Sequence, residues 1–320
     1  MQHSTNVEHN GMPLYLTEAD VEAVLSPAAA VDAVEASFRH IAAGRVENRP
    51  RYRLALDDGR LAVMAAADLE LGYAGAKVYS AFAEGARFCV LLFDAHTPEL
   101  HAVIDADALG RLRTGAASGV AAKYLAKPDA VSLGVIGCGW QARGQVDAIR
   151  AAVPGIERVS AWCRTPKRLA QFCKATGAEP AEDARDAAAQ DVVVTITTSR
   201  DPVLRGEWLS PGALVCAAGA NNGRSRELDN VVLERAVFVC VDSIEQARQE
   251  SADLIEPVEV GTLDWLEVHE LHEVVAGEVR GRESADDIVV FKSNGIAAWD
   301  VAAGAAAFEA AREQGVGTTV

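Results

Sequence analysis

From Val131 onward, short apolar runs alternate with stretches that carry apolar residues at helical spacing. The runs Ser132–Ile136, Arg158–Trp162, Val192–Ile196, Leu214–Ala217 and Val237–Val241 read as buried strands. Helical spacing fills most of the gaps, as from Pro166 to Thr176. This rhythm predicts a doubly wound parallel sheet. Helical signals dominate after Ser243, and Asp286–Phe291 adds one more candidate strand.

The first 125 or so residues have a different pattern. Thr17 caps a helix with acids in its first turn, and Ser26-Pro27 opens another. That second helix is apolar at Val31, Val34, Phe38 and Ile41 and stops at Gly44. Strands follow at Tyr52–Leu56 and Arg60–Ala65 around Asp57-Asp58-Gly59, then at Gly75–Ser80, Phe88–Asp94 and Leu100–Asp105. An alanine-rich helix runs from Leu109 to Leu125. The last helix, Ile296 to Glu313, is too rich in alanine for a solvated surface. It is expected to cross back onto the first unit. The expected organisation is an α+β domain over 1–125 completed by 296–320, with a parallel α/β domain over 126–295.

Composition narrows the class. Half of the 320 residues are hydrophobic, which is enough for two cores. No apolar run approaches the ~18 residues of a membrane span. Met1 to Met12 is polar and reads as a frayed tail, not as a secretory signal. The net charge of −16 argues against nucleic acid as a partner. An anionic substrate would therefore need a local cationic pocket. The cysteines (Cys89, Cys138, Cys163, Cys173, Cys216, Cys240) form no C-x-x-C pair, and reduced thiols in a cytoplasmic protein are expected.

The first parallel strand runs into Gly137-Cys138-Gly139-Trp140-Gln141-Ala142, a G-x-G-x-x-A turn that opens a helix. Gly137 permits the sharp turn, Gly139 lets the backbone approach a pyrophosphate, and Ala142 allows close packing of helix on strand. Free N–H groups at the helix start would face the phosphates. This is the Rossmann context for a dinucleotide. After the second strand the chain reads Cys163-Arg164-Thr165-Pro166-Lys167-Arg168. No acid stands there to bind a ribose 2′-hydroxyl, whereas Arg164, Arg168 and the Thr165 hydroxyl can hold a 2′-phosphate. The expected cofactor is NADP(H).

Three cations occupy unusual contexts. Lys77 sits among small and apolar residues in Gly75-Ala76-Lys77-Val78-Tyr79; it is either a strand-edge lysine in solvent or a partly buried proton donor. Arg113 precedes a helix nearly devoid of charge. Arg51 lies in Arg49-Pro50-Arg51-Tyr52-Arg53, where alternation puts three arginines on one side. Two guanidinium groups forking onto one carboxylate would fix an amino or imino acid.

These residues resemble the ornithine cyclodeaminase/mu-crystallin family over essentially the whole chain. The resemblance rests on Gly75-Ala76-Lys77, Leu112-Arg113-Thr114-Gly115-Ala116-Ala117-Ser118, the glycine turn with Trp140 and Gln141, Glu227-Leu228-Asp229, and Phe291-Lys292-Ser293-Asn294-Gly295-Ile296-Ala297. It implies a homodimer built through the sheet of the first, substrate-binding domain, and a nicotinamide in the cleft between domains. It implies that Lys77 is catalytic and that Arg113 and Arg51 bind the substrate carboxylate. Thr114, Thr197, Thr198, Ser293 and Asn294 match positions near the cofactor.

Two acids of the cyclodeaminases are replaced here, one by Ala62 and the other by Asn221. Asparagine cannot act as a general base, so cyclisation of ornithine is not expected. Ala62, Asn221 and Asn294 are expected to line the substrate pocket. The turn at Cys163-Arg164-Thr165 is similar to the NADPH-binding turn of mu-crystallin. The expected reaction is reduction of the cyclic ketimines Δ1-pyrroline-2-carboxylate and Δ1-piperideine-2-carboxylate. Alanine-type or N-alkyl amino-acid dehydrogenation, or binding of NADPH and a small ligand with little turnover, remain alternatives. His269 and His272 read as the solvated face of an acidic helix, His96 and His101 as surface residues, and Asp300 as half of a structural ion pair.

Overall fold

A computed structural model describes residues 11–320. The expected polar tail therefore lies outside the described residues except for Gly11 and Met12. The chain begins with strand β1 (Leu14–Leu16) and helices α1 (Glu18–Val24) and α2 (Pro27–Ala42). Thr17 and Ser26 cap the two helices, and Pro27 takes the first helical position. Strands β2 (Val46–Ala55), β3 (Gly59–Asp68), β4 (Tyr73–Phe82), β5 (Gly85–Asp94) and β6 (Leu100–Asp105) form an antiparallel meander, and α3 (Asp107–Leu125) follows.

The parallel part comprises β7 (Ser132–Ile136), α4 (Trp140–Ala152), β8 (Arg158–Trp162), α5 (Pro166–Thr176), β9 (Glu179–Pro180), α6 (Ala184–Ala188), β10 (Val192–Thr195) and β11 (Leu214–Ala217). It continues with α7 (Asn230–Arg235), β12 (Ala236–Val241), α8 (Ile244–Glu250), α9 (Ala252–Glu259), β13 (Val268–Glu270), α10 (Leu271–Val275) and β14 (Ile288–Lys292). Helix α11 (Ala297–Gln314) and strand β15 (Thr318–Thr319) then return to the first sheet. The strand orders are β15-β1-β6-β5-β4-β3-β2 and β13-β12-β14-β11-β10-β7-β8-β9. The fold is thus a Rossmann-type parallel sheet joined to an α+β unit.

The first hairpin is longer than expected. Pro50 and the arginines look like a strand boundary, yet β2 begins at Val46 and its register shifts between Arg49 and Tyr52. β2 is an edge strand, where a proline costs no ladder bond on its open side, and the irregularity absorbs it. The segment around His269 is also corrected: Val268–Glu270 is an edge strand, and a helix begins only at Leu271. The His269 ring stacks on Phe238 at 5.0 Å, and both histidines sit beside acids, half-buried. His101 is packed too, between Tyr73 and Phe308, while His96 is exposed.

Helices α3 and α11 join the two sheets. α3 is buried nearly all round and crosses α4 so closely that a Cβ on Gly115 would lie 2.0 Å from the Gly144 carbonyl oxygen. α11 packs on the meander and on α2, with Trp299 fully buried and edge-on to Phe38 at 5.3 Å. Both helices deliver charged side chains from a mostly apolar interior to the space between the sheets.

Candidate active site

The strands β7, β10, β11 and β14 all point their carboxyl ends at one crevice, with β7 at the reversal of strand order. The turn after β7 adopts the expected form. Gly137 has φ +117° and donates its N–H to the Trp162 carbonyl at 2.8 Å. Gly139 caps α4, and a Cβ there would meet nothing within 4 Å, so its surface is open to a ligand. Ala142 is fully buried beneath the turn.

A buried ionic frame shapes the loops on either side. The Glu227 carboxylate accepts from the backbone N–H groups of Thr197 (2.6 Å), Gly219 (2.7 Å) and Ala220 (3.2 Å). Asp253 accepts from the N–H groups of Glu227 and Leu228 and lies 3.2 Å from the Lys292 ammonium. Lys292 is fully buried and donates to the carbonyls of Ala217 and Ala220. Burial pushes the Glu227 carboxyl above its ordinary range, and Lys292 opposes this most. On the far side, Asp242 accepts from the N–H groups of Asn294 (2.7 Å) and Gly295 (2.6 Å) and from the Ser293 hydroxyl (3.3 Å). The terminal Phe-Lys-Ser-Asn-Gly run therefore acts as scaffolding for the crevice.

Two cavities meet there. One, about 390 Å³, is lined by Gly137, Cys138, Gly139, Cys163, Arg164, Thr165, Arg168, Thr197 and Thr198. Arg164, Thr165 and Arg168 are exposed, and the Thr165 side chain makes no capping bond, although it stands at the start of α5. Sequence reasoning overlooked Arg205, a further cation lining this cavity. The six cysteines are free thiols, as expected.

The second cavity, about 350 Å³, shares Gly139, Thr197 and Thr198 with the first. It brings together Lys77, Arg113, Arg51, Thr114, Trp140, Gln141, Asn221, Ser293 and Asn294. Ala62 does not line it. That residue is fully buried within the sheet, because the larger Met64 and Tyr79 form the wall there.

Lys77 points inward from β4, is buried, and places its ammonium 3.0 Å from Asp300 Oδ1 and 5.3 Å from the Phe88 ring centre. Burial, and next the nearby Arg113 charge, lower its pKa to about 8, while Asp300 works in the opposite direction. Arg113 Nε donates to the same Asp300 oxygen at 3.0 Å. Its two Nη atoms have no hydrogen-bond partner among the described residues and lie at the cleft. Gly295 makes room for them: at φ +79° it carries no Cβ, which would stand 2.6 Å from Nη1.

Arg51 is held differently. Nε contacts Met64 Sδ at 3.2 Å, Nη1 donates to Glu250 at 2.6 Å, and Nη2 donates to the carbonyls of Asn294 and Gly295 at 3.2 Å each. Arg53 joins it on Glu250 at 2.7 Å and also reaches the Asn221 carbonyl, while Arg49 stays exposed beside Glu47. Two arginines do converge on one carboxylate, but they are Arg51 and Arg53 on Glu250, not the expected Arg51 and Arg113; Arg113 is held by Asp300. Of the five donors of Arg51, about one remains for a ligand. Both polar atoms of the Asn294 amide are buried without a partner. The Thr114 hydroxyl is already used, donating to the Gly110 carbonyl at 2.6 Å.

Asp300 and Glu250 are buried acids behind the cavity wall that sequence reasoning did not place, and Asp107 is the acid in the lining itself. Asp300 is in an ion pair, as expected, but its partners Lys77 and Arg113 both line the cleft. A signal existed: it is the one charge in the twelve residues Ala297–Phe308, so its counter-cation has to come from elsewhere in the fold.

The profile of the Ornithine cyclodeaminase/mu-crystallin family matches residues 12–315. The chain belongs to that family. An alanine dehydrogenase of Archaeoglobus fulgidus is 36% identical over 319 residues, covering 96% of this chain and 98% of that protein. A Δ1-pyrroline-2-carboxylate reductase of Bacillus cereus is 37% identical over 239 residues, covering 72% of this chain and 73% of that protein. The solved Thermococcus litoralis Δ1-pyrroline-2-carboxylate reductase, in complex with NADH and L-proline, superposes with a TM-score of 0.90 at 33% identity, covering 96% of this chain and 100% of that one. The resemblance drawn from the family motifs is thereby borne out. Within this family, the chain presents Asn221 at the cleft, and Ala62 lies beneath its wall.

Proposed function

We propose that this protein is a nicotinamide-dependent oxidoreductase of C–N bonds that reduces cyclic α-imino acids. Its substrates are Δ1-pyrroline-2-carboxylate and Δ1-piperideine-2-carboxylate, and its products are L-proline and L-pipecolate. One observation carries the reading: a free guanidinium edge on Arg113 stands beside the buried ammonium of Lys77, in a cleft that shares Gly139, Thr197 and Thr198 with the cavity over the glycine turn.

The residues present fit the cofactor. The open surface over Gly139 accommodates the pyrophosphate, Thr197 and Thr198 line the passage between the cavities, and the unpartnered Asn294 amide offers one donor group and one acceptor to the nicotinamide end or the substrate. Arg113 binds the substrate carboxylate through both Nη atoms, and Arg51 adds its remaining N–H. This fixes the imine carbon and nitrogen relative to Lys77, and such positioning supplies much of the rate. Lys77, protonated at neutral pH, gives its Nζ proton to the ring nitrogen. When bound, the reduced nicotinamide supplies the hydride that completes the C=N to CH–NH conversion. Phe88, Tyr79 and Met64 form the wall that limits water around the reacting atoms.

The cofactor is NADP(H). Arg164, Thr165 and Arg168 face the cavity beyond β8, and no acid of that turn opposes a 2′-phosphate. The Thermococcus relative was solved with NADH, so the preference is tested directly, as the ratio of kcat/KM for NADPH and NADH. The proposed units are 1–125 with 296–320 for substrate and 126–295 for cofactor. A homodimer forms across the meander. Alternation turns Leu61, Val63, Val78 and Leu91 away from α11, and Tyr52 and Leu54 are exposed on the adjoining edge strand. Light scattering reads its mass; a monomer at micromolar concentration would refute the assembly.

Turnover is tested by NADPH and NADH oxidation with each ketimine. Absence of turnover with both, in folded protein that binds cofactor, would sink the assignment. The full-length similarity to an alanine dehydrogenase favours a second reading, reductive amination of pyruvate. Dependence of the rate on added ammonium separates the two.

A further inference from the structure

Behind the cleft wall, against Lys77 and Arg113, lies a carboxylate that neither binds substrate in the reading above nor faces solvent. Asp300 comes from the first turn of α11, where the helix dipole favours a negative charge. It is 1% exposed. Its Oδ1 is shared by Lys77 Nζ and Arg113 Nε, each at 3.0 Å, and its Oδ2 is buried with no partner among the described residues.

This geometry has two consequences. Holding Arg113 by Nε turns the Nη edge toward the cleft, the orientation in which a planar guanidinium can fork onto a carboxylate. Holding Lys77 by the same oxygen keeps two buried like charges close together. The surrounding groups account for the balance. β2 contributes Arg51, whose charge Glu250 of α8 already compensates; β3 contributes the exposed Arg60 to the cavity lining and β4 Tyr79; α3 contributes Arg113 and Asp107; β5 contributes the Phe88 ring. Asp300 is thus the single acid in contact with both Lys77 and Arg113 among the described residues.

We propose that Asp300 is a positioning residue that aims the Arg113 fork at the substrate carboxylate and keeps Lys77 in the protonated form needed to donate. It touches neither substrate nor cofactor and acts through Lys77 and Arg113. With Lys77, Arg113 and Asp300 charged, the trio carries one net positive charge, which one substrate carboxylate neutralises. The inference rests on the imine-reductase reading for the purpose of the proton, but not for the electrostatics.

The test is Asp300→Asn in the cofactor-bound protein. Lys77 is titrated by NMR on nitrogen-labelled lysine, with Lys77→Met to assign its signal. The variant titrates lower than the parent by about one pH unit or more, the size expected when an opposite charge within ~4 Å is removed. This readout needs no turnover, so it stands even if neither ketimine is a substrate. Where there is turnover, the alkaline limb of kcat/KM moves to lower pH by the same amount and KM for the imino acid rises. A purely structural role would lower the rate equally at every pH. Asp300→Glu keeps the charge, and is the test should Asp300→Asn fail to fold. Its Lys77 titration stays within about half a unit of the parent while kcat falls through the displaced fork. An unmoved titration in Asp300→Asn, or one displaced by a full unit in Asp300→Glu, would overturn the proposal.

Discussion

Arg113→Lys removes the fork and preserves the charge. In the parent, Nε is committed to Asp300 and two Nη groups are free for substrate. A lysine at this position has one ammonium, which remains with Asp300. Each charge-assisted bond contributes roughly 1.5–3 kcal/mol, so losing two costs about 3–6 kcal/mol before compensation. Arg51 keeps about one donor at the cleft, and water can replace part of the rest, which brings the net loss to about 3 kcal/mol. That corresponds to a drop in kcat/KM of about 100-fold, carried largely by KM. Initial rates of NADPH oxidation over a range of ketimine concentrations measure it. Cofactor affinity, followed by nicotinamide fluorescence, should change less than about twofold, because Arg113 does not line the Arg164 cavity. A kcat/KM within about threefold of the parent would refute the assignment of the carboxylate to Arg113.

The pH profile is a second expectation. Lys77 must be protonated to donate and its pKa in the unliganded site is about 8, so reductive kcat/KM is level near neutrality and falls about tenfold per unit above that value; the oxidative direction shows the opposite slope. A profile flat to pH 10 would remove Lys77 as the acid. Arg164→Asp places an acid at the end of the second parallel strand and should reverse the cofactor preference, lowering the NADPH to NADH ratio of kcat/KM by about 100-fold through loss of one charged pair and gain of a repulsion; an unchanged ratio shows that the turn does not read the 2′-phosphate. Gly115→Ala tests the helix crossing: a Cβ 2.0 Å from a carbonyl oxygen forces α3 and α4 apart and should cost about 3 kcal/mol of stability, visible as a lower denaturant midpoint. A midpoint equal to the parent's would mean the crossing is looser than the structure shows.

Much of this protein follows from local pattern. Strands β7, β8 and β11 fall where apolar runs end against turn residues, and the caps at Thr17 and Ser26 are readable because capping involves residues only three apart. The glycine turn is legible for the same reason, since such a turn is built from consecutive backbone groups, and Arg164 and Arg168 directly after β8 fall on the cavity beside it. Lys77 and Arg113 stand out singly, as charges in apolar surroundings. What local pattern cannot carry is the partner each buried charge finds. Lys77 and Arg113 meet Asp300 across 223 and 187 residues, and Arg51 meets Glu250 across 199. An isolated charge in the sequence states that a counter-charge is needed, because burying it alone is prohibitive, but many acids could supply it. Only the packing of α11 on the meander and of α8 against β2 chooses which. That choice leaves the Arg113 Nη atoms without a partner among the described residues and Arg51 largely committed, and it sets Asp300 against two of the cations that line the cleft.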